Sequence, residues 1–406
     1  MLAKTIPQEQ SVKILLVTSE LPYPPASGGA IRVYGIARGL HANGHKVFLA
    51  AFGLGQVPPQ LTEIAEVSIV PPPTRSKIAR LRQLITTSKS DIQTRLWSNA
   101  MLNHLLDLHE THHFDVIQFE GIEMGGYLPA LRAAYPNLSL VFDTFNAEAT
   151  MQATIARIDA GNPHRWLQAI YSWMQTRRLT HYEGELCRAA DLVLAVSDED
   201  AELLNRYQPR RSVVIVPSGI TVADYPTRTI QQEARTLVFT GKMDYRPNVD
   251  AMVWFVRDVL PMIPNAKLLI VGQKPTSAIS ALAKEGRVEV TGRVDSVIPY
   301  LHHSTVYIAP LRMGSGTRLK ILEALACECA IVATPLAASG LNLDVKNIMV
   351  VAEDANAFAA SVNQLLDDAD ARMAMQQQAR HAIETHYDWS VIIPRLLTAL
   401  ESVTHG

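Results

Sequence analysis

The sequence has few cysteines, almost no net charge and no long apolar run, and each shortage excludes a class of protein. Three cysteines in 406 residues are too few for a disulfide framework, and Cys327 and Cys329 lack the spacing of a zinc site. The formal net charge of -2 excludes a strongly basic nucleic-acid binder, so we expect no nucleic-acid partner. No run approaches the roughly 20 apolar residues of a membrane-spanning helix.

The first ten residues, MLAKTIPQEQ, lack the apolar core of a signal peptide. We therefore expect a cytoplasmic chain, or one that is peripheral to the inner face of the membrane. An apolar content of 48% with 19% charged residues excludes intrinsic disorder. The length allows two or three domains with large cores.

Short apolar runs rich in β-branched residues alternate with longer helical patterns along the chain. Continuous apolar runs favour parallel strands that are buried on both faces. The alternation stops at Pro217–Arg235, which we interpret as a linker, and then restarts. The sequence thus predicts an α/β protein with two Rossmann-like doubly wound parallel-sheet domains, 1–228 and 229–388, facing across a cleft.

The predicted strands fall into two groups, one on each side of the linker. The first group is Lys13–Thr18, Lys46–Phe52, Val67–Val70, Asp115–Phe119, Leu138–Phe142, Asp191–Val196 and Val213–Val216. The second is Thr236–Thr240, Lys267–Val271, Arg287–Val290, Thr305–Ala309, Ala330–Ala333 and Ile348–Val351. Ligands of open parallel sheets bind beyond the carboxyl ends of the strands, so functional residues are expected in the loops that follow.

Pro310–Ala324, after a strand of the second domain, is the most informative of these loops. It combines two glycines, a helix start and two basic residues: Gly314, Gly316, Thr317, Arg318 and Lys320. A helix N-terminus with added positive charge favours an anion such as phosphate. Glu323, deeper in the helix, suits the two hydroxyls of a ribose. The alternative is a capped helix with surface charges.

Other loops after strands carry weaker signals. Gly28 and Gly29 open the first helix, where free N–H groups favour a phosphate, although a tight turn is the alternative. Lys242 and Arg246 follow the first strand of the second domain, where a solvated turn is the alternative. Phe119–Gly121, with Glu120, and Asp143–Glu148, with Asn146, follow two strands of the first domain. A carboxylate there can bind sugar hydroxyls or stabilise positive charge; an exposed strand end for Glu120 and a helix cap for Asn146 are the alternatives.

In this order the clusters resemble the retaining glycosyltransferase family 4, of the GT-B fold, and most closely its bacterial polysaccharide and exopolysaccharide members. The resemblance covers nearly the whole chain after Lys13. It rests on Pro22–Gly29 with Arg32, on Gly241–Asn248, on Leu269–Gly272, and on Gly314–Ala324 followed by Val332–Pro335.

The resemblance implies a UDP- or GDP-sugar donor held mainly by the second domain, and a glycan or lipid-linked glycan as acceptor. It implies no further cofactor. Glu323 would hold the ribose, Thr317 and Arg318 would lie against the diphosphate, and Gly28 and Gly29 would close over it. The remaining donor-binding residues would be Arg246, Gly272, Arg293, Val294, Gly316 and Lys320. A last helix, within 389–406, would pack back on the first domain.

Three positions depart from the pattern of that family. Ser315 stands where the first glutamate of the Glu-x7-Glu motif would fall. Phe145 stands where many members have a histidine, and Asn248 stands at the position of a lysine. We expect Arg246 or Lys320 to supply the missing positive charge.

The expected reaction is transfer of a sugar with retention and without a metal ion. The residues expected to carry catalysis are Lys242, Arg318, Glu120 and Asn146. A nucleotide-sugar epimerase of the same fold and a non-catalytic nucleotide-sugar binding protein remain as alternatives, because fold alone does not decide function.

The segment 75–97 is the one locally basic stretch of the chain. Arg75–Ile85 holds four basic residues beside an apolar stripe at helical spacing, and Lys89, Arg95 and Trp97 follow. Basic residues beside such a stripe are typical of a helix that lies on anionic lipid. We therefore hypothesise a peripheral membrane contact here; a packed helix with solvated charges is the alternative.

Overall fold

The computed structural model describes residues 11–25, 27–76, 82–83, 86–160, 166–314, 317–341 and 343–404. The chain divides into two compact units. Unit 1 contains Met1–Val196, Asp200–Val216 and Ile393–Gly406, and unit 2 contains Ser197–Glu199 and Pro217–Ile392. Within the described ranges, no helix has both the length and the apolar composition needed to cross a bilayer.

Unit 1 is built on a sheet in the order β3-β2-β1-β4-β5-β6-β7, and every neighbouring pair is parallel. Its central strands are buried and mostly apolar, as expected for a parallel sheet covered on both faces. The strands are β1 (Lys13–Thr18), β2 (Lys46–Phe52), β3 (Glu66–Val70), β4 (Val116–Glu120), β5 (Ser139–Asp143), β6 (Leu192–Ala195) and β7 (Val214–Ile215).

Three helices of unit 1, which begin at Gly28, Asp91 and Asn99, have serine N-caps. The Ser27 hydroxyl accepts a hydrogen bond from the Ala30 N–H at 3.1 Å and so starts the first helix. The α-helices are Gly28–Ala42, Pro59–Thr62, Asp91–Arg95, Asn99–His112, Leu128–Ala134, Glu148–Ala160, Trp166–Ala189 and Asp198–Asn205, and the C-terminal Trp389–Thr404 is shared with unit 2.

Unit 2 has a second parallel sheet in the order β10-β9-β8-β11-β12-β13. The strands are β8 (Thr236–Thr240), β9 (Lys267–Val271), β10 (Val288–Gly292), β11 (Val306–Ala309), β12 (Ile331–Ala333) and β13 (Val350–Val351). The α-helices are Arg246–Trp254, Ser277–Leu282, Ile298–His303, Leu319–Ala326, Pro335–Ala338, Ala355–Asp367 and Ala369–His386.

The prediction of two parallel doubly wound sheets is confirmed. Each predicted strand is present, and β1, β2, β8 and β9 have the predicted bounds. The shortest strands, β7 and β13, each cover half of their predicted apolar run. The apolar pattern marks buried chain, but hydrogen bonding to a single neighbour decides how far an edge strand extends.

Two glycines bring the ends of β8 and β9 unusually close together. The Gly241 N–H donates to the carbonyl of Val271 at 3.0 Å. A Cβ placed on Gly272 would overlap the carbonyl oxygen of Gly241, so only glycine fits at position 272. This close approach sets the path of both loops as they leave the sheet.

We expect Gly272→Ala to destabilise the protein by about 3 kcal/mol, because backbone rather than a flexible side chain must move. Gly286→Ala is the matched control, since its φ of +69° adds strain but no atom lies within 4 Å of the new Cβ. That control should cost about 1–2 kcal/mol. Denaturant unfolding measures both variants, and equal losses would contradict the overlap.

Candidate functional site

The loops at the carboxyl edge of the unit 2 sheet are joined by backbone hydrogen bonds. β8 pairs in parallel with both β9 and β11, so the three strands end at the same edge. The Gly272 N–H donates to the carbonyl of Gly292 at 3.2 Å, which links the loop after β9 to the end of β10. These loops carry the donor-binding residues predicted from the sequence.

Lys320 lies at the centre of this edge, in the first turn of the helix Leu319–Ala326. Its ammonium donates to Oδ1 of Asn248 at 2.5 Å and lies 4.5 Å from the centre of the Phe239 ring. The Asn248 amide in turn donates to the Lys242 carbonyl at 2.9 Å. Lys320 is therefore held beside the position at which the sequence lacks a basic residue.

Burial and the neighbouring charge of Arg318 lower the pKa of Lys320 to about 7, while Glu323 acts in the opposite direction. A buried ammonium is disfavoured unless an anion compensates for its lost hydration. The local structure therefore holds a cation that a bound anion would stabilise.

Glu323 follows Lys320 by three residues and so lies on the same side of the helix. Its Oε1 accepts a hydrogen bond from the Tyr225 hydroxyl at 2.9 Å. Burial raises the pKa of Glu323, whereas the Tyr225 bond and the charge of Lys320 lower it. A carboxylate has two oxygens and about four acceptor positions, so Oε2 is available to a ligand hydroxyl.

Arg318 caps the N-terminal end of the same helix and is 8% exposed. Its Nη2 donates to the carbonyl of Leu336 at 3.4 Å, and its guanidinium lies about 3.8 Å from a Cβ placed on Gly314. The structure thus brings Arg318, Lys320 and Glu323 together along one short helix.

The sequence predicted further donor-site residues in unit 2, and the structure describes most of them. Thr317 is half-buried directly before Arg318, while Gly316, with Ser315, lies outside the described residues. Lys242 is exposed, and Arg246 is half-buried where the helix Arg246–Trp254 begins. Arg293 and Val294 follow β10, the first exposed and the second half-buried.

In unit 1 the corresponding edge is organised by a buried ion pair. Arg32 donates from Nε and Nη2 to the two carboxylate oxygens of Asp143, at 2.9 and 2.8 Å, and from Nη1 to the Val216 carbonyl. Glu120 is 1% exposed beside this pair and accepts from Gln118 at 2.8 Å. Burial and the charge of Asp143 raise the pKa of Glu120 well above its ordinary value. Glu120 therefore lies beneath the surface, where burial and the Asp143 carboxylate raise its pKa and disfavour its ionised form.

The Phe145 ring lies against two glycines of unit 1. Its Cε2 is 2.9 Å from a Cβ placed on Gly29 and 3.3 Å from one placed on Gly121, so both positions need glycine to accommodate the ring. Gly28 is exposed at the start of the first helix.

Asn146 is half-buried next to Phe145, and its amide donates to Oε1 of Glu148 at 3.1 Å. Burial raises the pKa of Glu148 to about 7, although the Asn146 bond opposes the change. Glu148 therefore exchanges a proton near neutral pH at the carboxyl edge of this sheet.

The sequence analysis did not predict the hydrogen bond between Tyr225 and Glu323 or the ion pair between Arg32 and Asp143. Tyr225 lies in the segment interpreted as a linker and is 98 residues from Glu323. Arg32 is separated from Asp143 by 111 residues. A tyrosine within the linker was the only local signal of the first contact, and no spacing rule predicts either contact.

The proposed membrane segment is only partly described. Residues 77–81, 84 and 85, which carry its apolar stripe, lie outside the described residues. Arg95 pairs with Glu123, and Trp97 is 40% exposed and stacks on Tyr127 with ring centres 5.0 Å apart. The membrane contact stays a prediction.

Comparison with known families gives two matches that together cover most of the chain. Residues 26–224 match the family described as Glycosyltransferase Family 4, and residues 234–368 match the one described as Glycosyl transferases group 1.

The chain is 26% identical over 226 residues to phosphatidyl-myo-inositol mannosyltransferase of Mycolicibacterium smegmatis. That alignment covers 52% of this chain and 57% of the relative, so the chain spans little more than half the length of the curated relative.

Two solved structures resemble the whole chain. Sucrose-phosphate synthase from Thermosynechococcus elongatus has a TM-score of 0.74 at 15% identity, covering 97% of this chain and 99% of that one. Anabaena Alr3699/HepE in complex with UDP and glucose has a TM-score of 0.68 at 12% identity, covering 96% and 100%. At these identities the likeness shows the fold alone, which is the GT-B fold expected from the sequence.

We expect the Lys320→Met variant to change how stability depends on pH. The pKa of Lys320 is lowered to about 7, so the unfolded chain binds more protons than the folded one between about pH 7 and pH 10. Lys320 therefore makes the free energy of unfolding of the wild type increase as pH rises, and the Lys320→Met variant lacks this increase. The difference in Tm, variant minus wild type, should therefore fall from pH 7 to about pH 10.

The matched control is Lys284→Met, because Lys284 is exposed in the same unit. Its difference in Tm should not vary over that pH range. A difference for Lys320→Met that also stays constant would contradict the burial of this ammonium. Loss of the hydrogen bond from Lys320 to Asn248 should change the difference in Tm by the same amount at every pH, so it does not alter the dependence on pH.

Proposed function

The chain belongs to glycosyltransferase family 4, and we propose that it transfers a sugar from a nucleotide-diphosphate donor to an acceptor. The observation that carries the proposal is the helix Leu319–Ala326, with Arg318 and Lys320 at its N-terminal end and Glu323 one turn deeper. Cations and free N–H groups suit a diphosphate, and a carboxylate suits ribose hydroxyls.

The donor that fits this arrangement is a UDP- or GDP-sugar. Its ribose would bind Oε2 of Glu323, and its diphosphate would contact Lys320, Arg318 and Thr317. The lowered pKa of Lys320 supports an anionic ligand, because the anion would restore the charge that burial disfavours. Arg246, Gly272, Arg293 and Val294 follow strands of the same sheet. In this proposal they complete the donor site, with Arg293 near the base and Arg246 adding positive charge.

The proposed step breaks the bond between the anomeric carbon and the diphosphate. Positive charge develops on the sugar as an oxocarbenium-like species, and negative charge develops on the departing phosphate. Arg318 and Lys320 stabilise that negative charge with groups already in place, and Lys242 adds a third cation from the surface. The acceptor hydroxyl attacks from the face that the phosphate leaves, so configuration is retained. The departing phosphate takes the hydroxyl proton.

Unit 1 would contribute the acceptor side of the reaction. Asn146, with Gly28 and Gly29, provides polar and backbone groups at its carboxyl edge, while Glu120 acts from beneath by supporting Asp143 and the end of β4. The acceptor we propose is a glycan or a lipid-linked glycan. The name of the mycobacterial relative, a phosphatidyl-myo-inositol mannosyltransferase, supports the lipid-linked class.

A donor screen on the purified chain tests the reaction. UDP- and GDP-sugars should raise Tm, and the donors that do so should be turned over with a glycan acceptor to a product of the same anomeric configuration by NMR. Inversion would contradict the proposed same-face attack. A change of the sugar without acceptor would indicate an epimerase, and binding without turnover across acceptors would indicate a binding protein.

Glu323→Ala should weaken binding of the matching nucleotide by about 10- to 150-fold, since it removes a charged acceptor worth about 1.5–3 kcal/mol. Isothermal titration calorimetry measures the loss. Glu353→Ala, at an exposed glutamate of the same unit, is the control and should bind as wild type does. Unchanged affinity in Glu323→Ala would remove Glu323 from the donor site.

Turnover should survive chelation by EDTA, because the proposed stabilisation of the leaving phosphate comes from Arg318, Lys320 and a helix N-terminus. The measurement is the initial transfer rate before and after chelation, with and without added magnesium or manganese. A rate that collapses and is restored by either ion would assign leaving-group stabilisation to a metal instead.

A further inference from the structure

The hydrogen bond between Tyr225 and Glu323 joins two distant parts of unit 2. Tyr225 follows the short 3-10 turn Val222–Asp224, is half-buried, and donates from its hydroxyl to Oε1 of Glu323 at 2.9 Å. Burial and the nearby charge of Glu323 raise the pKa of Tyr225 far above its ordinary value. The raised pKa favours the protonated phenol, which is the form that donates to Glu323.

The backbone around Tyr225 is attached to the helix that carries Glu323. Nη1 of Arg380 donates to the Tyr225 carbonyl at 2.6 Å and to the Ala326 carbonyl at 2.7 Å. Ala326 is the last residue of that helix. Three residues after Tyr225, the Arg228 guanidinium donates to the Glu328 carbonyl at 3.0 Å. The distance between the Tyr225 hydroxyl and the Glu323 carboxylate is thus set by bonds on both sides of it.

The hydroxyl has two effects on the carboxylate. It donates to Oε1, which fixes the orientation of the carboxylate plane and leaves Oε2 for another hydrogen-bond donor. It also favours the ionised form, since its bond lowers the pKa of Glu323 against the effect of burial. Both effects prepare Glu323 to accept hydrogen bonds from a ligand.

We propose that Tyr225 is a positioning residue that orients the Glu323 carboxylate for the ribose of the donor. This inference rests on the proposed function, in which Glu323 accepts ribose hydroxyls. Tyr225 does not itself touch the sugar or the diphosphate. Its contribution to binding should therefore depend entirely on the presence of a carboxylate at position 323.

The charged and titratable groups near Glu323 come from several elements. They are Lys320 and Arg318 on its own helix, Cys327 at the end of that helix, Tyr225 on the loop, and Tyr307 on β11. Lys320 titrates near neutral pH and would also affect phosphate binding. A single pH profile would mix the two groups, so the test compares variants in which Lys320 is unchanged.

The experiment is a double-mutant cycle of Tyr225→Phe and Glu323→Gln. Calorimetry with UDP and with GDP measures affinity from pH 5 to pH 8. Tyr225→Phe alone should weaken nucleotide binding about three- to tenfold, as expected for one lost hydrogen bond. Its affinity should also begin to fall at a higher pH than in wild type, because the pKa of Glu323 rises without the hydroxyl. In the Glu323→Gln background, the second change should cause no further loss.

Tyr300→Phe is the matched control, since it removes a phenol from the same unit, and within the described part of the chain Tyr300 makes no hydrogen bond to Glu323. It should bind UDP and GDP as wild type does. The positioning role would be overturned if Tyr225→Phe lowered nucleotide affinity equally in the wild-type and Glu323→Gln backgrounds. It would also be overturned if the pH dependence of affinity did not shift. Either result would leave the donor site itself intact. Wild-type protein that binds neither nucleotide would overturn both the proposed function and this inference.

Discussion

The parallel hydrogen bonding of β8 with β9 and β11 is the constraint on which the candidate site depends. Parallel strands end at a common edge, so the loops that follow them must share one surface. The loop after β8 supplies Gly241, and the helix that follows it supplies Asn248. The loop after β9 supplies Gly272, and the helix after β11 supplies Lys320. An antiparallel neighbour would bring a strand start to this edge and separate these residues.

Within that edge, Lys320 shows how a binding residue differs from a stabilising one. Its ammonium lies beside the Phe239 ring and Asn248, and burial lowers its pKa to about 7. A residue chosen for stability alone would be apolar here, because burial of a charge costs free energy unless an anion compensates for it. Arg318 adds to that cost instead of relieving it. This pair of neighbouring cations supports the proposal of an anionic ligand, which would neutralise both.

The sequence predicted those features of the molecule that depend on neighbouring residues. Strands such as β8 and β9 were found with their bounds, because a continuous apolar run marks a strand that is buried on both faces. Lys320 and Glu323 were placed together, because three residues make nearly one turn of a helix. Tyr225 was not found, because its partner is 98 residues away. The same limit applies to Glu120, whose burial follows from Arg32 and Asp143 on other elements.

Phe145 restricts what unit 1 can do in the proposed reaction. The position resembles one at which many related proteins have a histidine, but the phenyl ring can neither donate nor accept a proton. Its contacts with Gly29 and Gly121 are contacts of carbon with backbone, so the ring fills space at the carboxyl edge of the sheet. Proton transfer at this position is therefore absent. In the proposed reaction the acceptor proton therefore goes to the leaving phosphate, which Arg318 and Lys320 of unit 2 would stabilise. Loss of the phosphate stabilisation should thus be more damaging in this chain than in one with an imidazole at that position.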